Sequence, residues 1–119
     1  MHVEISRAYE FQAAHFLPLV PAGHKCSRMH GHTYTATIVL GGKTTPAMGW
    51  LIDFGQVDAF WARACAPALD HQIVNQTIDN PTSENIARWI LTKARAHFGE
   101  MAARVTVSEN GRSAATVFA

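Results

Sequence analysis

Long apolar runs are missing from this 119-residue chain. None approaches the roughly 18 residues that a membrane-spanning helix needs, so no span is expected. The N-terminus, MHVEISRAYEF, alternates polar and apolar residues and lacks the apolar core of a secretory signal. Cysteine is scarce: Cys26 and Cys65 are too few for a disulfide framework and fit a reducing compartment, so the cytoplasm is expected. Charge of one sign is also lacking. A formal net charge of +1 implies no broad field, which argues against a general nucleic-acid binder. Repeats, low-complexity tracts, long linkers and glycine-rich nucleotide loops are absent. The length suits one domain, residues 1–119, with a core of its own.

What is present is an ordinary globular composition, 48% hydrophobic and 16% charged, with seven histidines as the unusual feature. Residues 2–14 predict a strand, with Val3, Ile5, Tyr9 and Phe11 among its β-compatible residues. Pro18, Pro21 and Gly23 mark 16–29 as a loop. Residues 30–42 form the cleanest strand. Tyr34, Ala36, Ile38 and Leu40 share one face; Thr33, Thr35, Thr37 and Val39 share the other. Residues 54–68 predict a helix capped by Asp53, with Val57, Phe60, Trp61, Ala64 and Cys65 on its apolar stripe. A second helix, 83–98, is capped by Thr82, stopped by Gly99 and buried through Ile86, Trp89, Ile90, Ala94 and Phe98. Residues 103–109 and 112–118 predict a hairpin across a two-residue Asn110-Gly111 turn. The order ββααββ implies an α+β fold: a four-stranded antiparallel sheet with two helices on one face. Its other face and its edges need covering, and oligomerisation is a common solution.

The chemistry concentrates in C-S-R-M-H-G-H, residues 26–32. His30 and His32, two apart at the start of a strand, project to the same face. His15 ends the first strand. If the two strands are antiparallel neighbours, three imidazoles converge. Three protein ligands with a fourth position open are the pattern of a catalytic zinc site. Such a metal polarises an oxygen or lowers a bound water's pKa to about 7. The competing reading is an incidental H-x-H whose rings make ordinary hydrogen bonds. Cys26 sits between Lys25 and Arg28, an environment that favours thiolate. It is open whether Cys26 is a reactive base, a fourth ligand that closes the site, or an inert side chain. Cys65, on the helix stripe, is the inert case.

Asp70-His71 places a carboxylate beside an imidazole, which can set its tautomer; a turn residue and a spectator histidine is the plainer reading. Glu109, by spacing alone, reads as a solvated carboxylate before the turn. Thr82, Ser83 and Glu84 have an ordinary capping explanation, although a helix N-terminus also suits a polar or anionic ligand. Among the remaining histidines, His24 lies near Cys26, His97 reads as a helix-end surface residue, and His2 has no clear partner.

Five ordered motifs then carry a resemblance over nearly the whole chain: F-x-A-A-H at 11–15, G-H-K-C-x-R-x-H-G-H at 23–32, G-W-L-I-D-F at 49–54, L-D-H at 69–71 and N-P-T-S-E-N at 80–85. Together they resemble the 6-pyruvoyltetrahydropterin synthase family. The second motif is most similar to its bacterial 6-carboxytetrahydropterin synthase branch, of queuosine biosynthesis. The resemblance implies the tunnelling fold, with sheets joined into a barrel and two trimers stacked as a homohexamer with intersubunit active sites. It implies Zn2+ on His15, His30 and His32, and Cys26 as proton acceptor. It implies a relay through His71 and Asp70 from a neighbouring subunit, and Glu109 as pterin anchor and relay member. The implied reaction converts 7,8-dihydroneopterin triphosphate and water to 6-carboxy-5,6,7,8-tetrahydropterin, acetaldehyde and triphosphate. Thr82, Ser83 and Glu84 are expected near the substrate, and Lys25 and Arg28 near its triphosphate. Three alternatives remain: the same scaffold making the pyruvoyl product, a pterin-binding paralogue with another substrate, and a non-enzymatic zinc protein with Cys26 as fourth ligand.

Overall fold

The computed structural model describes residues 1–119. Two 14-residue strands, β1 (His2–His15) and β2 (His30–Lys43), dominate it as one long antiparallel hairpin. Pairing runs without interruption from His2 opposite Lys43 to His15 opposite His30. Alternation along β2 falls as the sequence predicts. Tyr34, Ala36, Ile38 and Leu40 are buried under the helices, and Phe11 and Ala13 of β1 join them. The outer face of β2 is polar except at Val39. There Arg104 reaches from the neighbouring strand to Glu4 of β1 in a bidentate pair, 2.7 Å for each bond, and roofs β2.

The helical layer begins with α1 (Phe54–Phe60), which Asp53 caps by accepting the Gly55 N–H. The expected single helix over 54–68 is helical throughout but not uniformly α. A π segment at Trp61–Cys65 separates α1 from α2 (Ala66–Leu69), and the Ala66 N–H bonds back to the Trp61 carbonyl. Pro67 gives the physical reason: it lacks an N–H, and its ring would press on the carbonyl four residues earlier, so the preceding turn widens. The stripe survives, with Val57, Phe60, Trp61 and Cys65 buried. Tyr9 stacks on Trp61 at 4.8 Å and donates to Asp58, whose carboxylate also takes a bidentate Arg7; this fastens α1 to β1.

After α2 the chain makes a strand that the sequence did not suggest. β3 (Gln72–Ile73) lies parallel to β1 at Ala13–Ala14, so the sheet has five strands rather than four. Two residues are too short for a periodic signal. α3 (Ser83–Phe98) has the expected bounds, with Thr82 accepting the Asn85 N–H and Gly99 closing it at φ 64°. Ile86, Ala87, Ile90, Leu91 and Ala94 are buried; Trp89 is only half-buried, with Lys93 over its ring. β4 (Ala102–Ser108) and β5 (Ala114–Phe118) complete the sheet order β3-β1-β2-β4-β5. Their connection is longer than the expected two-residue turn. Asn110 Oδ1 accepts from the N–H groups of Arg112 and Ser113, and Ser108 Oγ from that of Gly111, which stretches the loop across 109–113. This Asx turn satisfies the backbone locally and delays strand pairing until Ala114.

Candidate functional site

The core face of the β1–β2 hairpin ends in three histidines. His15 and His30 are direct cross-strand partners, and His32 stands one pleat further along the same face of β2. One ligand atom from each lies within 4.8 Å of the others. The rings meet edge-on, with centroids 4.5 to 5.2 Å apart.

Their hydrogen bonds orient them. His15 Nδ1 donates to the Pro81 carbonyl at 2.7 Å, and His30 Nδ1 donates to the Arg28 carbonyl at 2.7 Å. A carbonyl only accepts, so each bond fixes the tautomer and leaves Nε2 as a free lone pair. His15 Nε2 and His32 Nε2 are buried without any hydrogen-bond partner. Glu109 Oε2 stands 3.5 Å from His32 Nε2, too far for a good hydrogen bond. Burial pulls the pKa of both His15 and His32 below the ordinary imidazole value, against the opposing charge of Glu109. Buried lone pairs without partners are costly unless something occupies the point at which they aim. An all-nitrogen, three-imidazole set fits a divalent metal such as zinc with one position left open.

Glu109 is not the solvated carboxylate that spacing alone suggested. Its Oε1 accepts from Ser83 Oγ at 2.8 Å, which ties it to the first residue of α3 while Oε2 faces His32. Thr82 has its hydroxyl engaged in the cap of α3, and Glu84 is exposed. Lys25 and Arg28 are exposed in the short turn that holds the half-buried Cys26. Cys26 is fixed through its backbone: its carbonyl accepts the Leu17 N–H at 2.8 Å, and its N–H donates to His24 Nδ1 at 3.0 Å.

Asp70 and His71 approach from the other side of β1. His71 sits at φ 58°, in the left-handed region, where a non-glycine residue is uncommon. Its N–H donates to the Gln12 carbonyl, while Asp70 Oδ1 accepts the Gln12 N–H at 3.0 Å and lies 3.0 Å from His71 Nδ1. Asp70 thus sets its carboxylate beside the ring of His71, which is 77% exposed. His71 and His32 both line an open cleft of about 630 Å³, with Gln12, Gly31 and Thr33. A second cleft of about 480 Å³ shares Gly31, His32 and Thr33 with the first and extends to Glu10, Thr35, Glu109 and Asn110.

Sequence reasoning placed the three histidines and the Asp-His pair but missed their supports. The carbonyls of Pro81 and Arg28 and the backbone of Gln12 leave no trace in side-chain identity. Tyr34 was read only as core. Its buried hydroxyl has no partner, and its ring stands edge-on to His15 and His32. Burial, reinforced by the charge of Glu109, pushes its pKa up. A polar tip in an otherwise apolar stripe was the available signal.

Residues 4–119 match the family model described as 6-pyruvoyl tetrahydropterin synthase. The chain is 35% identical over 95 residues to a 6-carboxy-5,6,7,8-tetrahydropterin synthase of Synechocystis sp., covering 75% of this chain and 72% of the relative. It is 32% identical over 95 residues to a dihydroneopterin monophosphate aldolase of Pyrococcus furiosus, covering 80% and 77%. Its fold matches the structure of Caenorhabditis elegans 6-pyruvoyl tetrahydropterin synthase with TM-score 0.89, at 24% identity over 100% of this chain and 96% of that one. The α+β architecture, helices on one face of an antiparallel-dominated sheet, is thus the expected one.

Proposed function

Since the chain belongs to the 6-pyruvoyl tetrahydropterin synthase family, we propose that it is a zinc-dependent 6-carboxy-5,6,7,8-tetrahydropterin synthase. It would act as one domain, in the cytoplasm, and supply a 7-deazapurine precursor such as that of queuosine. The observation that carries the reading is the convergence of His15, His30 and His32, two of them with buried, unpartnered Nε2 atoms. Zinc held there supplies a Lewis acid for the oxygens of the substrate side chain.

The protein's own residues do the rest. Glu109, steadied by Ser83, offers a carboxylate to the N–H groups of a pterin ring in the cleft beside His32. Cys26 accepts a proton from the substrate side chain. His71, with the Asp70 carboxylate 3.0 Å from its Nδ1, carries protons. Proton movement of this kind permits internal redox rearrangement, triphosphate loss and carbon–carbon cleavage without a nicotinamide cofactor. Lys25 and Arg28, exposed beside Cys26, would meet the triphosphate.

The working unit in this reading is a homohexamer, a dimer of trimers that joins sheet edges into a barrel. Its support is the exposed edge: β3 covers β1 only at Ala13–Ala14, and β5 has an open outer side with Phe118 exposed. Incubation with 7,8-dihydroneopterin triphosphate tests the activity. Acetaldehyde together with a carboxypterin is the expected outcome. A pyruvoyl product without acetaldehyde would assign the other branch. Turnover of a dihydroneopterin monophosphate without either product would favour an aldolase like the Pyrococcus relative.

A further inference from the structure

We propose that His24 is a positioning residue for Cys26, acting as a neutral imidazole cap that holds the thiol-bearing turn in place. The inference rests on the reading of Cys26 as the reactive base. Residues 16–29 form no strand or long helix, so little regular structure fixes the thiol. A single 3-10 turn, Lys25–Ser27, does so instead. His24 stands at its N-cap with extended backbone angles, and its Nδ1 accepts the Cys26 N–H at 3.0 Å. The His24 carbonyl takes both the N–H and the hydroxyl of Ser27, at 3.0 and 2.7 Å. The Cys26 carbonyl in turn accepts from Leu17, two residues beyond His15. Both backbone groups of Cys26 are thus engaged. One bond ties them to the end of β1 that carries a metal-ligand candidate, and the other to His24.

The chemistry of the cap is specific. Nδ1 accepts only when the ring is neutral and its proton is on Nε2. In this role Nδ1 occupies the place that Oδ1 takes in asparagine, one bond beyond Cγ, and asparagine is a preferred N-cap. Asparagine therefore conserves the cap while removing Nε2. That separates positioning from any direct role of the imidazole in proton transfer.

The two cysteines make the test clean. Cys65 is fully buried and its thiol pKa is pushed up to about 12, so it is silent towards iodoacetamide while the fold is intact. Cys26 alone then reports. In zinc-loaded protein, His24→Ala is expected to speed alkylation of Cys26 several-fold with Cys65 still unlabelled. It should lower kcat by about 10- to 100-fold, as misplacement of a reacting group does, with little change in KM. His24→Asn should return both the alkylation rate and kcat towards those of the unaltered protein. The proposal is overturned if His24→Ala leaves the alkylation rate unchanged. It is equally overturned if His24→Asn fails to restore that rate, or if Cys65 becomes labelled, which would mark general unfolding. If alkylation responds and is rescued while kcat never moves, the cap stands and the assignment of Cys26 as base fails.

Discussion

At the residue scale, the decisive atoms are those with no partner. His15 Nε2 and His32 Nε2 define a point for a metal, whereas Cys26 belongs to a separate turn. Cys26→Ala is accordingly expected to retain stoichiometric zinc by elemental analysis and to lose turnover; loss of zinc instead would favour a closed four-ligand site. The Tyr34 hydroxyl is a liability in the metal-free protein, because a buried unsatisfied group costs about 1–3 kcal/mol. Tyr34→Phe should therefore raise the stability of the zinc-free protein by about 1 kcal/mol in urea unfolding. Acidity acts on the same site. Burial depresses the folded pKa of His15 and His32, so the unfolded chain binds protons more readily. Their contribution is present above the ordinary imidazole value of about 6.5 and is lost as pH falls from there through the folded values. The urea midpoint of zinc-free protein should drop between about pH 8 and pH 5.5. A midpoint flat over that range would contradict the assignment.

At the scale of elements, each part of the site is held by the end of an element. The hairpin register brings His15 opposite His30, and the start of α3 supplies both the Pro81 carbonyl and Ser83. The other end of α3 closes at Gly99, with φ 64° and ψ −139°, a region that side chains strongly disfavour. A Cβ there would meet nothing within 4 Å, so the penalty for Gly99→Ala is purely conformational. It should destabilise the protein by about 1–3 kcal/mol, read from the urea midpoint, with zinc content unchanged.

At the scale of the whole molecule, the chain is elongated. The radius of gyration is 15.4 Å and the extents are 57 × 24 × 22 Å. A compact chain of this length would have a radius near ~13.5 Å. His71 is anchored to β1 with its ring largely exposed, which suits a role at a neighbour's site. Co-refolding Cys26→Ala with His71→Ala tests this. Each variant alone should be inactive. If every site takes Cys26 from one chain and His71 from another, an equal mixture should regain about a quarter of full activity. No recovery in a mixed assembly would place both residues in one chain's site.

The sequence by itself determined the face pattern of β2, the bounds and caps of α3, the helical stripe of 54–68, and the histidines as ligand candidates. These are local matters: period, cap chemistry and turn residues are written within a few neighbours. Motif resemblance supplied what spacing withheld, above all the weight given to Glu109. The tertiary structure decided the rest. It widened the first helix before Pro67, added β3 from two residues, and lengthened the β4–β5 loop through the Asn110 side chain. It also gave His15, His30 and Glu109 their supports in Pro81, Arg28 and Ser83, and gave Cys26 its cap in His24. Two of those supports, His15 with Pro81 and Glu109 with Ser83, join residues far apart along the chain. Two, at Pro81 and Arg28, run through backbone carbonyls, which every residue possesses and which therefore no sequence pattern distinguishes.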